Sequence, residues 1–190
     1  MIQPARYFSN QTNSNSSPWT ISMRIKMLAW QFAWKLLCAW TPKPANRWRL
    51  IVLKMFGAKI YGRPFVHQRA RIQIPWHLTL RHRATLGDRA NAYSLGEIEI
   101  GEHSTIAQEV YLCTGTHDFS KSALNLMTAP IHIGKGVFVG ARSFVMPGVE
   151  IGANAVVGAC SLVLGDVPPN SIVAGHPAKL IGLRTGELLA

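Results

Sequence analysis

Between residues 133 and 168 the hydrophobic positions recur every six residues: Ile133, Val139, Val145, Ile151, Val157 and Val163 are all β-branched and aliphatic. The residue after each is Gly134, Gly140, Met146, Gly152, Gly158 and Leu164. The fourth residue after each is small or β-branched: Val137, Ser143, Val149, Ala155, Ser161 and Val167. A period of six fits neither an α-helix nor a plain alternating strand. It predicts coils of short strands joined by regular corners, with the aliphatic side chains stacked inward as in repeat solenoids. Glycine beside the inward residue is expected to supply corner conformations that a Cβ would penalise. Burying one Ile or Val is worth about 1.5–3 kcal/mol, so such a ladder would dominate stability.

The same period runs more weakly upstream. Ile100, Ile106 and Leu112 form one run, with Ser104, Val110 and Thr116 as companions. Ile74, Leu80, Leu86 and Ala92 form another, with Leu78, Ala84, Ala90 and Gly96. The spacing of eight between Ala92 and Ile100 requires a two-residue bulge at a corner. From Leu112 to Ile133 the spacing is 21, and residues 118–130 read as an extruded loop, a usual place for function.

Residues 1–18 read as a polar, mobile tail. From 19 to 40 a helix is predicted, its apolar face formed by Ile21, Ile25, Leu28, Phe32, Leu36 and Ala39 at helical spacing. Trp30, Trp34 and Trp40 sit nearby, and Arg24, Lys26 and Lys35 interrupt the apolar run. A membrane span needs about 20 mostly apolar residues, so this helix is expected to pack on the β-structure or on a neighbouring subunit. An interfacial helix with basic residues and Trp at the headgroup level is the alternative. Pro42 and Pro44 end the element and a second basic helix follows, about 45–56, so residues 19–55 form a helical segment. Residues 56–178 are the β-domain and 179–190 a C-terminal tail.

Composition narrows the class. With 48% hydrophobic and 15% charged residues among 190, the chain is expected to be ordered. Cys38, Cys113 and Cys160 show no CxxC spacing, which suits a reducing compartment and neither a disulfide framework nor a cysteine zinc site. Residues 1–20 lack the apolar core of a secretory signal, so a cytoplasmic location is expected, with contact at the inner membrane through 19–40 as an option. Residues 1–87 carry 14 Lys and Arg and no Asp or Glu, whereas residues 88–190 carry six basic and nine acidic residues. A half so basic could meet nucleic acid, an anionic membrane or an acidic saccharide. Nucleic acid is disfavoured, since the basic residues form no known module and do not alternate with aromatics along strands.

These repeats, with Met-Pro-Gly-Val-Glu-Ile-Gly (146–152) and Ala-Gly-His-Pro-Ala-Lys (174–179), resemble the hexapeptide-repeat acyltransferases over about residues 56–184. The resemblance implies a mainly β fold, a left-handed parallel β-helix, usually trimeric, so a homotrimer is expected. Phe-Gly-Ala-Lys-Ile (56–60), Ile-Pro-Trp-His-Leu (74–78), Leu-Gly-Glu-Ile-Glu-Ile-Gly (95–101) and Leu-Cys-Thr-Gly-Thr-His-Asp (112–118) are similar to the colanic-acid-biosynthesis acetyltransferases of bacterial exopolysaccharide clusters. The function this implies is transfer of acetyl from acetyl-CoA to a hydroxyl of a sugar or exopolysaccharide precursor. His117, in the matching Thr-His position, becomes the general base, a task suited to an imidazole near neutral pH. A backbone carbonyl, Glu97 or Glu109 could orient it.

The resemblance places the CoA arm along Gly140-Ala141 and Gly158-Ala159, with Lys179 near the nucleotide phosphates. Relatives often carry Thr-Lys where this chain has Leu164-Gly165, so Arg184 is a second phosphate candidate. Asn91, Tyr93 and Glu97, before the base, are candidates for the acceptor. Relatives usually have Asn where His77, Ser94 and His176 stand. His77 and His82 are spaced as in the γ-class carbonic anhydrases, but the upstream histidine of that pattern is Thr41, and no metal is expected. Two alternatives share the scaffold: N-acetylation of an amino sugar, and a non-catalytic binding protein.

Overall fold

The computed structural model describes residues 6–8, 11, 13 and 16–185. From Lys59 onward the chain winds into a parallel β-helix whose three faces are sheets, each coil giving one short strand to each face. Face one stacks Lys59–Ile60, Leu78–Leu80, Ile98–Ile100, Ile131–Ile133 and Glu150–Ile151. Face two stacks Phe65–Val66, Thr85–Leu86, Thr105–Ile106, Phe138–Val139, Val156–Val157 and Ser171–Gly175. Face three stacks Arg71–Ile72, Asn91–Tyr93, Tyr111–Cys113, Phe144–Val145 and Leu162–Val163.

The six-residue period becomes three ladders in register. Ile60, Leu80, Ile100, Ile133 and Ile151 line face one. Val66, Leu86, Ile106, Val139, Val157 and Val173 line face two. Ile72, Ala92, Leu112, Val145 and Val163 line face three. Nearly all are fully buried, as are the small companions between them.

Two details differ from the sequence reading. Ile74 is not in a ladder; Ile72 pairs with Ala92 instead, and the bulge needed after Ala92 already occurs one coil earlier, between Ile72 and Leu80. Nor do the glycines after the inward residues serve the corners through their φ angles. The left-handed corner residue lies two positions later and is usually not glycine, as at Arg83 (φ 55°), His103 (φ 57°), Arg142 (φ 60°) and Asn154 (φ 61°). The glycines are there because the next coil is too close for a side chain. A Cβ on Gly101 would lie 2.5 Å from the carbonyl carbon of Gly134 and 2.7 Å from Ile133 O. Gly101→Ala is therefore expected to destabilise the protein by about 1–3 kcal/mol. Gly165→Ala, with nothing within 4 Å of the added carbon, should stay within about 0.5 kcal/mol. Denaturant titration of both variants checks the contrast.

The corner between faces three and one carries three stacked insertions, after Ile72, after Ala92 and after Leu112. Side chains pin them to one another. The Ser94 hydroxyl accepts from Ile74 N–H and donates to Ile74 O, each at 2.9 Å, and His77 Nδ1 lies 3.0 Å from Ser94 O. Thr114 Oγ1 donates to Tyr93 O at 2.6 Å and accepts from Gly96 N–H at 2.9 Å. Ser94 and His77 are therefore parts of this corner. Ile74 contributes to a second small core with Phe8, Leu95 and Leu126, covered by Trp19, Met27, Trp76 and Tyr93.

Two helices precede the β-helix, α1 (Ile21–Leu37), capped by Thr20, and α2 (Asn46–Met55). The face of α1 that packs inward is not the predicted one. Trp30 is buried with its Nε1–H donating to Ile72 O at 2.7 Å, Trp34 packs beside it, and Ile21, Ile25, Leu28, Phe32 and Leu36 are exposed. At the other end, Ala178–Leu183 forms an antiparallel strand on Ser171–Gly175, so the expected tail from 179 is structured through 183. Residues 186–190 lie outside the described residues.

Candidate active site

The third insertion is an antiparallel hairpin of Gly115–His117 and Leu126–Thr128, with His117 opposite Leu126. The expected loop over 118–130 thus contracts to a turn over 118–125. His117 ends its strand exposed to solvent, with Nδ1 2.6 Å from the carbonyl oxygen of Leu124. A carbonyl only accepts, so Nδ1 carries a proton, and in the neutral imidazole Nε2 is the nitrogen with the free lone pair. Of the orienting groups open from sequence, the backbone carbonyl is the one in place. Glu109 is engaged by Arg142 at 2.6 Å, which together with Arg89 holds its carboxyl below the usual range.

The turn is tightened locally. Asp118 Oδ1 accepts from the backbone N–H of Ser120 at 3.0 Å and from its hydroxyl at 2.6 Å, bonds that hold the Asp118 carboxyl below its ordinary pKa. Leu124 N–H donates to Lys121 O at 3.0 Å. The amino-terminal segment then straps the hairpin from outside, so its described part is not a mobile tail. Arg6–Tyr7 pairs antiparallel with Leu126–Thr128, and Phe8 N–H donates to Leu126 O at 3.0 Å. Asn125 Nδ2 donates to Phe8 O at 2.9 Å and to Gln11 O at 3.2 Å, while the Gln11 side chain accepts from Leu126 N–H. Polar residues that read as solvated are spent on backbone groups of the hairpin.

The acceptor candidates lie on the same side. Asn91 and Tyr93 are in face three, and a Cβ on Gly115 would meet the Tyr93 ring at 3.5 Å, which puts that ring at the hairpin base. Glu97 is exposed at the corner from which the hairpin leaves, and its carbonyl accepts from Ile131 N–H at 2.9 Å. Tyr93, Tyr111 and Phe144 form a ring ladder up face three, at 5.7 Å and 4.8 Å between centroids. Burial pushes the Tyr93 phenol up and that of Tyr111 to about 12, so both stay protonated donors.

The candidates for the CoA arm stand at a different corner. Gly140, Gly158 and Ala174 stack between faces two and three, and Lys179 pairs with Ala174, so the four form one column. Part of this backbone is committed: Gly140 N–H donates to Val157 O and Gly158 N–H to Val173 O, both at 2.8 Å. Ala141 O accepts from Cys160 N–H at 2.8 Å, whereas Ala159 and Lys179 are exposed. Arg184 is elsewhere. Its Nη1 lies 2.9 Å from Gly136 O and 3.3 Å from Asn154 O, sewing two coils together at the corner between faces one and two. The structure gives it a structural task and leaves Lys179 as the phosphate candidate. Leu164 and Gly165 are exposed on the corner of His117, two coils later. Among the described residues no group of three or more His, Cys, Asp or Glu could hold a metal ion.

A family model of the bacterial transferase hexapeptide (six repeats) matches residues 130–165. WcaF of Escherichia coli (strain K12), assigned as a colanic acid biosynthesis acetyltransferase, is 42% identical over 160 residues, covering 84% of this chain and 88% of its own length. The chain belongs to the hexapeptide-repeat acetyltransferases. A further member, the galactoside O-acetyltransferase of Escherichia coli (strain K12), is 40% identical over 88 residues, 44% of this chain and 43% of its own. The fold matches that of a hexapeptide-repeat acetyltransferase of Vibrio cholerae O1 biovar eltor complexed with acetyl coenzyme A. There the TM-score is 0.80 at 20% identity, over 90% of this chain and 93% of that one.

As a hexapeptide-repeat acetyltransferase, the protein needs a base beside an acyl donor. Its hairpin presents an imidazole whose free nitrogen is fixed by a backbone bond. Sequence reasoning named that imidazole and left its partner open among a backbone carbonyl, Glu97 and Glu109, since every residue has a carbonyl. It missed the strap, whose signal was the adjacent aromatic pair Tyr7-Phe8 within a polar stretch.

Proposed function

We propose that the protein transfers acetyl from acetyl-CoA to a hydroxyl of a sugar or saccharide precursor, with His117 as general base. The observation that carries this is the bond from His117 Nδ1–H to Leu124 O, which leaves Nε2 as an exposed acceptor. Nε2 takes the proton of the acceptor hydroxyl as its oxygen attacks the thioester carbonyl. The tetrahedral intermediate collapses, the C–S bond breaks, and the imidazolium returns its proton to the departing thiolate. Sugar acceptors are favoured by the names of the galactoside and colanic acid relatives, and acetyl-CoA by the ligand of the Vibrio protein. Asn91, Tyr93 and Glu97 supply donors and acceptors suited to a polyol on the side of the base.

The column of Gly140, Ala141, Gly158, Ala159 and Lys179 and the His117 hairpin occupy different corners of one helix. A complete site therefore calls for the column of one copy facing the hairpin of another, as in a homotrimer. The test is calorimetric titration of the full chain with acetyl-CoA, beside His117→Ala, with the mass measured by light scattering. Saturable binding by both proteins at trimer mass, followed by thiol release on adding sugar acceptors to the parent only, supports the reading. A folded parent protein that binds no acetyl-CoA overturns it in favour of a non-catalytic scaffold, and thiol release with amino sugars alone makes the reaction an N-acetylation.

A further inference from the structure

Helix α1 has two apolar stripes. Met27, Trp30, Trp34 and Cys38 turn toward the protein. The other stripe faces solvent: Ile21, Ile25, Leu28, Phe32 and Leu36 lie between 53% (Leu28) and 74% (Ile21) exposed. Helical spacing sets these five in one row about 22 Å long. Helix α2 repeats the arrangement, burying Val52 and Leu53 while leaving Trp48, Ile51 and Met55 exposed. The Trp48 Nε1–H donates to Leu37 O at 2.8 Å, which joins the start of the second row to the end of the first. Apolar surface of this extent marks a contact site, and acyl transfer does not use it.

We infer that this double stripe lies in the surface of an anionic membrane. Charge decides the occupant. Arg24 and Lys35 border the row of α1 and Arg47 and Lys54 that of α2, and none of the four takes part in an ion pair among the described residues. No acidic residue occurs before Asp88. A second copy meeting it stripe to stripe offers poor complementarity, because its own stripe is equally basic and no acidic residue lies in either helix. Anionic headgroups match the basic border, and long Lys and Arg side chains reach them while their stems stay among the acyl chains.

The tryptophans fit the same placement. Trp40, 73% exposed, donates its Nε1–H to Leu36 O at 2.7 Å, and Trp48 donates to Leu37 O. Both exposed indoles thus enter an apolar phase with no donor left unpaired. No helix among the described residues is long and apolar enough to cross a membrane, so the helices lie in the interface.

The test is co-sedimentation of the full chain with phosphatidylcholine vesicles, with and without phosphatidylglycerol, alongside light scattering. The parent protein should pellet with the phosphatidylglycerol vesicles and be released by salt. Leu28→Glu with Phe32→Glu should weaken the partition at least about tenfold at unchanged mass. Replacing Arg24, Lys35, Arg47 and Lys54 by Gln should abolish the preference for phosphatidylglycerol. Failure of the parent protein to pellet with either vesicle overturns the proposal. So does a loss of oligomer mass in the double Glu variant, which would assign the stripe to contact between copies.

Discussion

Replacing His117 by alanine is expected to lower kcat by about 10²–10⁴-fold, with KM for acetyl-CoA little changed. The side chain is exposed, and among the described residues it bonds to a backbone carbonyl alone, so removing it should cost chemistry rather than folding. Added imidazole should restore part of the rate to His117→Ala, which a merely structural role would not allow. The hairpin provides a graded control. Asn125 is buried and ties the turn to Phe8 and Gln11, so Asn125→Ala loosens the strap without touching the imidazole. Its kcat is expected to fall by about ten- to a hundredfold, because a base displaced by an ångström loses its line to the acceptor proton. Unchanged turnover in His117→Ala would remove the imidazole from the reaction, and unchanged turnover in Asn125→Ala would remove the strap.

Legibility followed the physics of each signal. The ladders were plain from sequence because an inward position recurring every six residues tolerates little besides aliphatic side chains. The run from Ile74 misled because a bulge moves the period by two, and Ile74 is apolar for another reason, the second core beneath the hairpin. Helix α1 misled differently. Periodicity finds an apolar stripe but does not say which of two is buried, and the choice was made by Trp30, whose indole reaches Ile72 O. The glycines beside the ladder were right as positions and wrong in cause: coil spacing, at Gly101 as at Gly140, sets them. Within the site, the imidazole was named through its motif, while the carbonyl that fixes it depends on the hairpin turn and the separation of Arg184 from Lys179 on how coils stack.

Arg49→Met is expected to cost roughly 3–5 kcal/mol and to detach the helical segment before the β-helix unfolds. Arg49 has no exposed surface and, among the described residues, no carboxylate paired with it. Its guanidinium instead donates to Val66 O and Pro42 O at 2.9 Å, to Lys43 O at 3.0 Å, and to the Thr41 hydroxyl at 2.9 Å. Burial lowers its pKa from the usual value and pushes the neighbouring Cys38 thiol up to about 11, so at neutral pH a cation sits among neutral acceptors. Exchanging a buried ion pair for hydrophobes can be harmless because both partners leave together. Here Val66 O in the first coil loses its donor, and Pro42 O and Lys43 O in the link between the helices keep only the backbone bonds from Ala45 and Asn46. Arg49→Lys should recover little, since one ammonium cannot span four acceptors held by a planar fork. Five of the six tryptophans lie between residues 19 and 48, so tryptophan emission reports on this segment almost alone. In Arg49→Met the emission should shift at lower denaturant than the far-ultraviolet signal of the β-helix, while the parent protein shows the two together. Coincident curves in the variant would mean that the apolar contacts of Trp30 and Leu53 hold the segment without the guanidinium.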